Sequence, residues 1–157
     1  MIVFFFLIDY SVLYFLAMKI LEGTIPEGNT WRVLVLLSLD ENLGRAFALG
    51  AALAFENQGQ LITAVFVSDE SEASIAAGQN LMDQVREKCS EGQTPYPLII
   101  YADDFDRDLK ALIREANIDL LLLHADSATR YDYSRSNCGI VAMRGDRYIL
   151  RRPSPGE

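Results

Sequence analysis

Residues 31–67 read WRVLVLLSLDENLGRAFALGAALAFENQGQLITAVFV, and this stretch decides the fold class. Its two ends, RVLVLL (32–37) and LITAVFV (61–67), are continuous apolar runs rich in Val, Ile and Leu. A run without alternation predicts a strand buried on both faces. Between them residues 42–58 carry a helical pattern studded with small residues: Gly44, Ala46, Ala48, Gly50, Ala51, Ala52 and Ala54. Small residues let a neighbouring backbone approach closely, so this helix is expected to pack tightly on the sheet or on a dimer partner. Ser38 and Glu41 have the S-x-x-E spacing of a capping box at the first strand-to-helix turn.

The same alternation continues toward the C-terminus. A helix is expected over residues 71–89, with Ile75, Met82, Val85 and Cys89 on one face, then a strand over 97–101. A helix over 105–117 follows, its stripe formed by Leu109, Leu112, Ile113 and Ala116, and then a strand over 119–124 (DLLLLH). Strands separated by amphipathic helices give the order βαβαβαβ, an α/β fold with a parallel sheet covered on both faces. Residues 125–137 (ADSATRYDYSRSN) have no apolar period and read as a polar loop. The apolar run 139–143 and the residues 148–150 are separated by Gly145-Asp146, which predicts a terminal hairpin. Arg144-Gly145-Asp146 is read as part of that turn rather than as an adhesion motif.

On the N-terminal side, residues 22–30 (EGTIPEGNT) have the composition of a linker. Before it, the first twenty residues, MIVFFFLIDYSVLYFLAMKI, contain only three strongly polar positions, Asp9, Ser11 and Lys19. An apolar run of this length is enough to cross roughly 30 Å of hydrocarbon as a helix. The expected organisation is therefore a membrane helix over 1–21, a linker over 22–30 and one α/β domain over 31–157. Asp9 costs about 2.5–3.5 kcal/mol at the centre of a span, which suits a helix packed among others. No basic region precedes the run and no A-x-A pattern follows it, against a signal peptide. Lys19 and Arg32 flank its C-terminal side and place the domain in the cytoplasm.

The chain of 157 residues has a formal net charge of −8, which repels phosphates and argues against a nucleic-acid partner. The basic exception is the tail, with Arg144, Arg147, Arg151 and Arg152. The two cysteines, Cys89 and Cys138, form no C-x-x-C pair and suit a reducing compartment.

The segments RVLVLLSLDENLGRAFALGAALA, GQLITAVFV, DLKALIREANIDLLLLHAD and NCGIVAMRG resemble the universal stress protein family, over nearly the whole stretch from Trp31 to Arg152. The resemblance implies a three-layer α/β/α, flavodoxin-like, five-stranded and mainly parallel sheet. Nucleotide-binding members carry an Asp at the end of the first strand and a G-x-x-G-x(9)-G-[ST] stretch after the fourth. Here Ser38 and Asp40 approach the first position, and the second motif is missing, since no glycine lies between Gly92 and Gly139. Degenerate domains of this kind form the cytosolic C-termini of membrane transporters, including amino-acid permeases and cation-chloride cotransporters. That likeness implies a domain that dimerises or joins transporter subunits and regulates transport without catalysis.

For chemistry, the eye-catching cluster is Asp103-Asp104-Phe105-Asp106-Arg107-Asp108. Counted from Asp104 it approaches a calcium loop, but Leu109 stands where that loop needs glycine. Asp104 is instead expected to cap the helix, with Asp106 and Asp108 in its first turn. Ligands of open parallel sheets bind beyond the carboxyl ends of the strands. The candidate ligand-binding residues are accordingly Ser38, Asp40, Val67, His124 and Asp126. No G-x-S-x-G or P-loop occurs, and neither a catalytic residue nor a metal ligand is assigned. Cys138, at a strand start, is expected to be buried packing. The expected function is that of a non-catalytic regulatory domain on the cytosolic face of a membrane, without a resident cofactor. The alternative is a stress-protein-type domain that binds ATP or another adenine nucleotide.

Overall fold

The structure, a computed structural model, describes residues 18–39, 44–89, 94–128, 130–131, 138–144 and 147–151. Among them seven strands form one sheet: β1 (Met18–Glu22), β2 (Arg32–Leu37), β3 (Gln60–Val67), β4 (Tyr96–Ala102), β5 (Leu120–His124), β6 (Gly139–Arg144) and β7 (Arg147–Arg151). The helices are α1 (Gly44–Glu56), α2 (Glu72–Glu87), α3 (Phe105–Glu115) and the single turn α4 (Ala125–Ala128). The strand order is β1-β4-β3-β2-β5-β6-β7, parallel from β4 to β6 and antiparallel at both edges.

The continuous apolar strands divide by alternation into two cores. On β2, Val33, Val35 and Leu37 face one layer with Phe47 and Ala54 of α1 and Leu81, Met82 and Val85 of α2. Leu34 and Leu36 face the other, with Leu109 and Leu112 of α3 and with Ala128 and Tyr131. This is a three-layer α/β/α arrangement, as the buried-strand pattern predicts. Helix α1 lies so close to β2 that a Cβ on Gly50 would collide with a methyl of Val35, which accounts for the small residues on its inner side. Helix α2 begins at the cap Ser71, whose side chain accepts the Ser74 N–H, and α3 at the cap Asp104. The C-terminal pair of strands forms the expected hairpin, with Arg144 opposite Arg147. Gly145 and Asp146 lie outside the described residues, as do Glu41 of the expected capping box and Arg152.

Three expectations are corrected. The sheet has seven strands rather than five, because an antiparallel strand is added at each edge. Its five parallel strands, taken in chain order, run 3-2-1-4-5, whereas a flavodoxin-like sheet runs 2-1-3-4-5. The third correction concerns the N-terminus. Residues 18–21, expected to end a membrane helix, and Glu22, expected to begin the linker, are strand β1, with Met18 opposite Ala102 and Ile20 opposite Ile100. Met18 is 5% exposed and Ile20 packs on the same core, while Lys19 reaches out to Glu70 at 2.6 Å and Glu22 accepts a hydrogen bond from Gln79. The free edge of β4 offers backbone hydrogen bonds that a strand satisfies and a helix does not. Residues 1–17, including Asp9, lie outside the described residues, and among those described no helix is long and apolar enough to cross a membrane.

Residues 23–30 do not behave as a free linker either. Ile25 packs on the core, and Gly23 adopts φ +91° where a side chain would strike the Pro97 carbonyl. The carbonyls of Pro26 and Gly28 accept hydrogen bonds from Arg32 Nη2 at 2.6 and 3.0 Å. Arg32 itself is 2% exposed, with Nη1 donating to the Ala116 carbonyl at 2.7 Å and Nε to Gln60 Oε1 at 2.9 Å. A guanidinium ringed by carbonyls inside the domain is an internal staple, so Arg32 is no membrane-flanking charge.

Candidate functional site at the carboxyl ends of the strands

The order 3-2-1-4 makes the chain leave β2 and β5 toward opposite faces, and this divergence opens a crevice beyond their carboxyl ends. A cavity of about 160 Å³ lies at this end of the sheet. Ser38 follows β2, Val67 ends β3 and Ser68 follows it, and all three line the cavity together with Phe105 at the start of α3. The fourth side is Ser127 of α4 and Arg130 just after it. The Arg130 guanidinium lies over the Phe105 ring at 4.4 Å, and Phe105 meets Phe66 edge-on with centroids 5.7 Å apart. The stacking holds the cation at the cavity wall.

The lining thus brings together three serine hydroxyls and one arginine, with no carboxylate among its described residues. In a chain of net charge −8 that is a local reversal of sign. The arrangement can accept a small polar or anionic group by hydrogen bonding, and its described lining residues include no group that exchanges protons near neutral pH.

Of the residues expected from sequence, Ser38 and Val67 line this cavity. Asp40 lies outside the described residues. His124 and Asp126 are turned instead toward the end of β6. His124 Nδ1 accepts the Asp126 backbone N–H at 3.2 Å and lies 3.5 Å from Asp126 Oδ2, while Asp126 Oδ1 accepts from Arg144 Nη2 at 3.3 Å. The imidazole therefore steadies the first turn of α4. Ser68, Phe105, Ser127 and Arg130 were not expected at the site. Ser68 follows directly from the strand-end rule, whereas Ser127 and Arg130 sit in a segment without apolar period.

The acidic residues near the crevice are engaged by their own helices. Asp69 accepts from the Ser71 N–H at 2.9 Å and the Ser74 hydroxyl at 2.7 Å, and hydrogen bonding from Ser71 and then Ser74 lowers its carboxyl below the usual range. Asp104 accepts the Arg107 N–H at 3.1 Å as the cap of α3. Asp108, fully buried, accepts from the Asp104 N–H and from Arg107 Nε, both at 3.1 Å, and this contact raises the guanidinium of Arg107. Asp106 pairs with Lys110 at 2.9 Å, and Leu109 is sealed in the core. Cys138 is buried as expected of strand packing, and Cys89 donates to the Val85 carbonyl at 3.3 Å while burial pushes its thiol up.

No family model matches this chain, and no curated protein matches it.

Proposed function

We propose that this chain is a non-catalytic regulatory and interaction domain, universal stress protein-like, held at the cytosolic face of a membrane in the manner of a solute transporter's C-terminal domain. What supports this reading is the apolar composition of the residues that precede β1. Residues 1–17, MIVFFFLIDYSVLYFLA, run straight into an edge strand of the sheet, so the apolar segment and the α/β unit are joined without a linker. The universal stress protein-like part of this reading rests on the sequence resemblance, and what the structure adds is the coarser α/β arrangement, five parallel strands with helices on both faces. The test is partition after an alkaline wash. The full chain is expected to stay in the membrane fraction and a chain beginning at Met18 to be released; release of both overturns the membrane role.

A second function is favoured by the lining of the carboxyl-end cavity, with Arg130, Ser38, Ser68 and Ser127: binding of ATP or another adenine nucleotide. The volume, about 160 Å³, is below the roughly 300–1,000 Å³ of most ligand sites, so it accommodates a phosphate or ribose and leaves the rest of the ligand outside. ATP at a hundredfold excess over its dissociation constant would then stabilise the fold by about 2.7 kcal/mol. An unfolding midpoint that ATP leaves unmoved rules this second function out.

A further inference from the structure

Residues 144–152, RGDRYILRR, carry four arginines and one aspartate in a chain whose net charge is −8. The fold puts this basic stretch at an edge of the sheet. β7 pairs with β6 on one side, and among the described residues no strand pairs with the other. Arg144 and Arg147 stand directly opposite each other across the hairpin, and both are exposed. Like charges in that relation repel. Asp126 answers Arg144 at 3.3 Å, whereas among the described residues no carboxylate pairs with Arg147.

The hairpin also fixes which backbone groups are free. Two residues separate Arg144 from Arg147, and a hairpin of that length closes on a hydrogen-bonded pair. Such pairs recur at every second residue of an antiparallel ladder, here Ala142 with Ile149 and Ile140 with Arg151. The N–H and C=O groups of Tyr148 and Leu150 consequently point outward, away from β6. The edge therefore offers two donors and two acceptors in a row, next to an exposed cation.

We propose that the outer edge of β7 takes up an acidic, extended segment of a partner protein as a further strand. Main-chain bonds at Tyr148 and Leu150 hold the segment, and a carboxylate beside Arg147 supplies the ion pair that the hairpin leaves open. Tyr148, 66% exposed, adds aromatic surface at the same place. The charge pattern selects this occupant. A second β7 in full antiparallel overlap sets position 147 against position 151, arginine against arginine, so the edge is built against its own copy. An anionic membrane surface meets the arginines but has no backbone to pair with the edge. At about 0.15 M salt, repulsion from the acidic remainder of the chain is screened beyond about 8 Å, so the nearby arginines govern the contact. The inference names a partner for the interaction role proposed above and rests on it.

Fluorescence anisotropy of labelled peptides of about ten residues, with the full chain in non-ionic detergent, tests the added strand. The probes are a peptide alternating glutamate and threonine, its lysine counterpart, and the glutamate peptide N-methylated at every residue, which keeps the charge and cannot donate to a strand. Only the first is expected to bind, and Arg147→Glu is expected to weaken it about tenfold. That variant sets opposite charges across the hairpin, so lost binding cannot be ascribed to a loosened β7. Absence of binding by the glutamate peptide, equal binding of the lysine peptide, or binding undiminished by Arg147→Glu overturns the proposal. Equal binding of the N-methylated peptide overturns it too, and shows a surface that attracts anions of any kind, a lipid membrane included. Each of these failures leaves the membrane role, read separately by the alkaline wash, standing.

Discussion

Replacing Arg32 by methionine keeps a long apolar stem in place while removing the guanidinium, and so isolates the staple that ties the N-terminal segment to the sheet. Four acceptors lose a donor: the carbonyls of Pro26, Gly28 and Ala116, and Gln60 Oε1. The bond to Ala116 is buried, and an acceptor stranded there costs about 1–3 kcal/mol. The other three are partly buried, where water replaces part of the loss, at about 0.5–1.5 kcal/mol each. Methionine is spared the desolvation that a buried guanidinium suffers, which offsets some of this total. The net expectation is a loss of about 2–4 kcal/mol, a large share of the roughly 5–15 kcal/mol that holds a domain folded. In urea denaturation followed by circular dichroism, the midpoint of a chain starting at Met18 should fall by about 1–2 M. Arg32→Lys should recover less than half, since one ammonium cannot fork to four acceptors. A methionine variant within about 0.5 kcal/mol of the parent would refute the staple.

Three further outcomes are expected. Gly50→Ala forces a methyl into Val35 in the middle of the sheet and should destabilise by about 1–3 kcal/mol, read as a lowered urea midpoint; no change would mean that α1 shifts freely over β2. Gln58 follows α1 at φ 52°, with its N–H bonded to the Phe55 carbonyl and the Gly59 N–H to that of Ala54, so Gln58→Gly should stabilise by about 0.5–1 kcal/mol in the same assay; a loss would contradict the left-handed cap. Asp69 has a lowered folded pKa, so its contribution is present above the unfolded value near 3.9 and disappears as pH falls through the lower folded value. Asp69→Asn should therefore flatten the acid limb of the stability–pH curve while leaving the limb above neutrality in place, and an unaltered acid limb would count against the Ser71 and Ser74 bonds.

How much could be read from the chain depended on whether a residue's fate is local. The parallel strands were legible because unbroken Val/Ile/Leu runs have few other uses. The starts of α2 and α3 were legible because Ser71 and Asp104 do their capping within one turn. β1 was not, because an uninterrupted apolar run suits a membrane helix and a buried strand equally, and the in-out-in order of Met18, Lys19 and Ile20 is swamped by the residues before it. Arg32 was misjudged for a related reason: its partners come from loops and strands up to 84 residues away, and nothing beside it in sequence announces them. At the candidate site, Ser38 and Val67 followed from the strand-end rule, whereas Arg130 reaches the cavity only through the single turn α4 and its stacking on Phe105. Strand order was hidden as well, since periodicity reports which segments are strands and not which of them are neighbours.

The most direct test compares three chains expressed in cells with intact membranes: the full sequence, one starting at Met18 and one starting at Thr30. If β1 joins an apolar segment directly to the sheet, the full chain resists an alkaline wash and the Met18 chain is released as a folded protein. The Thr30 chain, lacking β1 and two of the acceptors of Arg32, should then be markedly less stable. Release of the full chain, or a Thr30 chain as stable as the Met18 chain, would contradict the account.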